Sequence, residues 1–110
     1  LANIQTLAWL SENGMRGFLI DRDSIITAIT NDKLCFEKIS DGYLSVFAHT
    51  TKAEGVNLKG LKYELNDAVL THTFPLGTSN EFIDRESSVS VREGTLVVVF
   101  PREVQEKMIL

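Results

Sequence analysis

The sequence predicts a mainly β fold: a β-sandwich or jelly-roll-like pair of layers carrying one N-terminal helix. Three observations lead there. After Gly14 the apolar residues alternate with a period of two, turn signals recur about every eight to twelve residues, and only the first segment keeps a helical period.

In that first segment, Ala2 to Asn13, the residues Ile4, Leu7, Ala8 and Leu10 share a helical face, and Asn13-Gly14 provides a left-handed stop. A helix of about eleven residues is marginal alone in water, so its stripe has to pack on something. If that partner lies outside the chain, the Leu7, Trp9 and Leu10 surface is expected to be an exposed patch. Gly17 to Ile20 reads as a strand, Asp21-Arg22-Asp23 as a turn, Ser24 to Thr30 as a strand and Asn31-Asp32 as a turn. Leu34 to Ile39 and Tyr43 to His49 flank Ser40-Asp41-Gly42, whose Asp-Gly pair suits a tight hairpin. Gly55 to Leu58, Lys62 to Leu65 and Val69 to Phe74 are shorter strand-like runs, and Ser88 to Arg92 with Thr95 to Phe100 reads as a closing hairpin across Glu93-Gly94. Pro101 ends the last strand because it has no N–H to donate. Arg102 to Leu110 reads equally as a short helix with Val104 and Met108 on one side or as a frayed tail.

Composition narrows the function classes. At 110 residues the length fits one domain, and 44% hydrophobic content with a mean hydropathy of +0.02 is ordinary for a soluble one. No apolar run approaches the ~18 residues of a membrane span. The N-terminus has neither a cationic start nor a small-residue cleavage site, so a cytoplasmic protein is expected. A net charge of −4 argues against a nucleic-acid partner, which needs a basic face. Lys52, Lys59 and Lys62 are scattered enough to read as the solvated edge of a hairpin. The lone Cys35, between Leu34 and Phe36, excludes an intrachain disulfide and reads as a strand filler. Asp21 and Asp23, with Arg22 between them, read as a solvated turn, and His49 and His72 have no partner at ligand spacing; no metal or catalytic residue is assigned.

One run does suggest chemistry. Gly77-Thr78-Ser79-Asn80-Glu81 places two hydroxyls and a carboxamide behind a flexible glycine. Read alone it is a turn, because serine and asparagine satisfy nearby backbone groups there. Seventeen residues upstream of its glycine lies Gly60-Leu61-Lys62-Tyr63, and Val97-Val98-Val99-Phe100 closes the β region. Together these segments resemble the thiamine-binding C-terminal domain of the thiamine pyrophosphokinase family.

The resemblance implies a vitamin-binding β-sandwich over residues 22–110, with 1–21 as a helix-and-strand remnant of a preceding nucleotide-binding α/β domain. The absence of an initiator methionine agrees with an excised domain. It also implies an enzyme that transfers a pyrophosphoryl group from ATP to thiamine, releasing AMP. Magnesium and ATP would be held by the absent domain, the active site would form between two protomers, and the isolated fragment would be inactive. The resemblance assigns Ser79 and Asn80 to the aminopyrimidine side of thiamine and Thr78 to the same wall; a neutral polar pair offers donors and acceptors without desolvating a charge. Phe82 is expected either to stack on the heterocycle, where an aromatic face attracts the thiazolium cation, or to sit in the core. Gly60-Leu61-Lys62-Tyr63 is expected to serve architecture. The rival classes are a noncatalytic β-sandwich that binds sugar or peptide, and a structural dimerisation module.

Overall fold

Alternation along each strand sorts the chain into two layers. In the computed structural model, which describes residues 2–72 and 79–109, β2 (Ser24–Thr30) buries Ile25 and Ile29, β4 (Tyr43–Ala48) buries Leu44 and Val46, and β9 (Thr95–Pro101) buries Leu96, Val98 and Phe100. These strands lie in one five-stranded antiparallel sheet, sheet A, completed by β1 (Phe18–Ile20) beside β2 and β7 (Asn80–Glu81) beside β4. The facing sheet B runs β10 (Met108–Ile109), β3 (Lys33–Ile39), β8 (Arg85–Ser90), β5 (Lys52–Lys59) and β6 (Leu65–Thr71). The core between them holds Phe36 edge-on to Phe82 and Phe100, with ring centres 5.3 and 5.1 Å apart.

The pairings are nested: β5 with β6, β4 with β7, β3 with β8, and β2 with β9. That is a jelly roll, one long folded-over ribbon wound so that successive strand pairs fall in alternate sheets. The expected class is therefore correct, but two expected hairpins are not formed. β3 and β4 flank Asp41-Gly42 yet lie in opposite sheets, and so do β8 and β9 around Glu93-Gly94. Their glycines still make the turns, with φ of +119° at Gly42 and +125° at Gly94, but each turn carries the chain from one layer to the other.

Other elements shift. Lys62 to Leu65 is not a strand of its own: Leu61 makes a single bridge to Phe82, and the next ladder starts at Leu65. Of the expected Val69 to Phe74 run, residues 69–71 belong to β6, while Thr73 and Phe74 lie outside the described residues. The tail is a 3-10 helix, Arg102–Lys107, drawn inward by buried Val104, and ends in β10 against Phe36 and Cys35 of β3.

Helix α1 (Ala2–Glu12) packs on the outer face of sheet A. Leu7 and Ala8 are buried there, and a hydroxyl chain fixes the contact: Ser11 Oγ to Thr30 Oγ1 at 2.7 Å, then Thr30 Oγ1 to Thr95 Oγ1 at 2.8 Å. The expected apolar patch is thus mostly covered by the chain's own sheet, with Trp9 left 58% exposed. β1 pairs with β2 residue by residue, so the division drawn between residues 21 and 22 falls inside a hydrogen-bonded hairpin. No helix among the described residues is long and apolar enough to cross a membrane.

Candidate functional site

The two motifs singled out in the sequence meet in space. Asn80, only 2% exposed, holds the backbone of Tyr63 at both polar atoms: its Oδ1 accepts from Tyr63 N at 2.9 Å and its Nδ2 donates to Tyr63 O at 2.6 Å. The same Oδ1 accepts from Glu81 N at 3.0 Å. Lys62 N donates to Glu81 O at 3.0 Å, and Leu61 bridges Phe82, so residues 61–63 run antiparallel to 80–82. The chain leaving β5 of sheet B thereby crosses to the edge of sheet A and closes that side of the sandwich. Gly60 allows the crossing: its φ is +72°, Glu64 Oε2 accepts from its N–H at 2.7 Å, and a Cβ there would lie 2.0 Å from Glu86 O.

This ladder sets what each residue of the polar run can do. Asn80 uses three of its four hydrogen-bonding capacities on the backbone, so within this chain it positions other groups. Phe82 is 2% exposed and packs edge-on to Phe36; of its two expected roles the fold gives it the core one. Ser79 differs. It is exposed, its N–H lies 3.4 Å from Ser45 Oγ, and its φ of +61° is left-handed, uncommon for a serine. Thr78 and Gly77 lie outside the described residues.

Strand parity then gathers residues that the sequence reading did not assign to a site. Tyr43 pairs with Glu81 and Leu44 with Asn80; with a period of two, Tyr43, Ser45 and Phe47 face outward while Leu44 and Val46 face the core. The outer face of sheet A at this edge therefore presents Ser79, Ser45, Tyr43 and Glu81, with Tyr43 67% exposed. Tyr63, 56% exposed, adjoins it through Lys62, whose Nζ lies 5.4 Å from the Tyr63 ring centre. The missed signal was the alternation of β4 itself, which puts a hydroxyl between two outward aromatics.

Among the described residues, one ion pair crosses this face. Lys62 Nζ lies 3.3 Å from Glu81 Oε2 and 5.4 Å from the centre of the Tyr63 ring. The Glu81 hydrogen bond and charge, followed by Tyr63, hold the Lys62 ammonium above its ordinary pKa of 10.5, so it stays charged at neutral pH. Among the described residues, no three His, Cys, Asp or Glu side chains group as a metal site.

Ser79 also yields a test of how its backbone and hydroxyl divide their work. Replacing Ser79 with glycine relieves the left-handed strain but frees the unfolded chain, so stability changes by less than about 1 kcal/mol. The hydroxyl is lost all the same. Thermal unfolding is expected to show an unchanged or raised midpoint for Ser79→Gly, while Ser79→Ala, which keeps the strain, is no more stable than the parent.

Known proteins agree with this architecture. Residues 32–96 match the family model described as thiamin pyrophosphokinase, vitamin B1 binding domain. The crystal structure of thiamine pyrophosphokinase from Bacillus subtilis superposes with a TM-score of 0.82 at 27% identity, covering 91% of this chain and 47% of that one. Thiamin pyrophosphokinase from Geobacillus thermodenitrificans gives 0.76 at 20% identity over 94% of this chain and 48% of its own. Thiamin pyrophosphokinase from Candida albicans gives 0.75 at 16% identity over 91% of this chain and 38% of its own. The chain thus spans about half the length of the two bacterial structures or less. No curated protein matches it.

Proposed function

This chain belongs to the thiamin pyrophosphokinase, vitamin B1 binding domain family, and on that premise we propose that it holds thiamine against the outer face of sheet A, beside Ser79. The observation that carries the reading is the lock between the two motifs. Asn80 is spent on Tyr63, which leaves Ser79 exposed at the sheet edge with Ser45 and Glu81 as neighbouring polar groups. In this reading Ser79 and Thr78 meet the aminopyrimidine, and Asn80 and Phe82 keep the strand that presents them in place. Holding a substrate this way contributes to transfer by orienting the attacking hydroxyl, a positioning effect rather than acid–base chemistry.

The reaction assigned to the whole protein is pyrophosphoryl transfer from ATP to thiamine, giving AMP and thiamine diphosphate. ATP and magnesium are held, on this reading, by a nucleotide-binding domain to which residues 1–21 connect. A homodimer completes the site. Tyr43 and Phe47, exposed aromatics four residues apart on the outward side of β4, support a second protomer packing on this face. A cytoplasmic location agrees with the rest.

Calorimetric titration tests the assignment. Thiamine is expected to bind the 110-residue chain weakly, on the order of 0.1–1 mM, and glucose not at all. The chain mixed with ATP, magnesium and thiamine is expected to form no AMP. Glucose binding without thiamine binding would move the chain to the sugar-binding class, and turnover by the chain alone would overturn the division of labour.

A further inference from the structure

The face beside Ser79 already holds a positive charge in the manner that recognises an organic cation. Lys62 Nζ sits between the Glu81 carboxylate, at 3.3 Å, and the Tyr63 ring, at 5.4 Å from its centre. A carboxylate on one side and an aromatic face on the other is the arrangement that attracts a cationic ring. The backbone that carries the two acceptors is hydrogen-bonded in place. Asn80 clamps Tyr63 at both backbone polar atoms, and Glu81 is pinned through its N–H by Asn80 and through its carbonyl by Lys62 N. Lys62 itself is the movable member, a solvated ammonium on a flexible four-carbon stem with half its side chain exposed.

We propose that Glu81 and Tyr63 form a cation subsite whose resident occupant is the chain's own Lys62 ammonium, and that a thiazolium-type organic cation displaces it. The identity of that cation rests on the reading that thiamine binds this face. Lys62 is then a built-in competitor that sets a threshold: a cationic ring gains Glu81 and Tyr63 on displacing it, whereas a neutral analogue gains neither. The subsite also supplies the aromatic face that buried Phe82 does not.

The test uses the 110-residue chain and two probes, thiamine and the N-methylthiazolium cation, followed by calorimetry and by the NMR signals of the Tyr63 ring. Lys62→Met is expected to tighten both probes about two- to fivefold, the range an exposed ion pair and one ring contact supply. Glu81→Gln and Tyr63→Leu are expected to weaken both by a similar factor. Lys33→Met, the same charge change at an exposed position on sheet B, is expected to leave both affinities unchanged. Unfolding midpoints confirm that the variants compared are folded, and Lys62→Met removes only solvated contacts.

An affinity for both probes that is unchanged or lowered by Lys62→Met overturns the proposal, as does an equal gain from Lys33→Met. If N-methylthiazolium shifts the Tyr63 ring while thiamine does not bind, the subsite stands and the vitamin reading falls. If thiamine binds and the Tyr63 ring does not respond, the subsite falls and the vitamin reading stands. Binding of neither probe overturns both.

Discussion

Replacing Asn80 with alanine is expected to lower the free energy of unfolding by about 2–4 kcal/mol, because the N–H and C=O of Tyr63 and the N–H of Glu81 lose their partner together. The three groups share one side chain, so their losses do not simply add, and the segment relaxes partly toward water. For a chain of this size the shift amounts to roughly 10 °C or more in the unfolding midpoint. Asn80→Asp is the informative companion. It keeps the acceptor for both N–H groups but removes the donor to Tyr63 O and places a charge where only 2% of the residue is exposed. It is expected to be as damaging as alanine at neutral pH. Denaturant unfolding of both variants checks this, and a loss below about 0.5 kcal/mol for either would show that Asn80 does not hold the edge.

Gly60→Ala is expected to cost about 2–5 kcal/mol, by adding left-handed strain to a collision with backbone. The added Cβ would stand 2.0 Å from Glu86 O, and because that neighbour is main chain of β8 no side chain can swing aside. Either the turn opens or β8 shifts. Both moves disturb the crossing that carries residues 61–63 to the edge of sheet A, so thiamine affinity is expected to fall with stability. Gly14→Ala serves as the control, since its φ is +81° but its Cβ would meet nothing within 4 Å; it is expected to cost only the strain, about 1–2 kcal/mol. Equal losses at the two glycines, measured by thermal unfolding, would remove the close approach from the explanation.

How legible these features were depends on the range of the interaction. β2 was read residue for residue because Ile25 and Ile29 alternate with outward positions, and alternation is a local signal. The partner of a strand is not local. Asp41-Gly42 and Glu93-Gly94 looked like hairpin turns, and they do bend the chain, but alternation reports which face is buried and not which sheet receives the next strand. In a jelly roll nearly every connection changes layer, so turn chemistry alone misassigns the pairing. The tail, legible as a short helix or a frayed end, resolves to the 3-10 helix, and only β10 goes unread, because it is two residues long and gains its place from buried Val104 and a half-buried Met108.

The site shows the same limit. The Thr78-Ser79-Asn80 run stood out as polar groups behind a glycine, yet its members divide by a contact seventeen residues away. Asn80 turns inward to Tyr63 while Ser79, next to it, turns outward. The nearby Gly60-Leu61-Lys62-Tyr63 motif, expected to be architectural, is so through Gly60 and Leu61, but Lys62 and Tyr63 reach the open face. Phe82 illustrates why an isolated aromatic is uninformative: a ring two positions past a polar run reads alike in a pocket and in a core, and only its edge-on contact with Phe36 decides.

On the proposed function, thiamine lies on the outer face of sheet A, against the edge that Asn80 and Tyr63 lock. Residue-by-residue NMR titration of the chain with thiamine tests it most directly. Amide and side-chain signals of Ser79, Ser45, Tyr43, Glu81 and Tyr63 are expected to move first and saturate together. Signals that move instead on the outer side of sheet B, around Cys35, Ser88 and Asn57, or none that move at saturating thiamine, would contradict it.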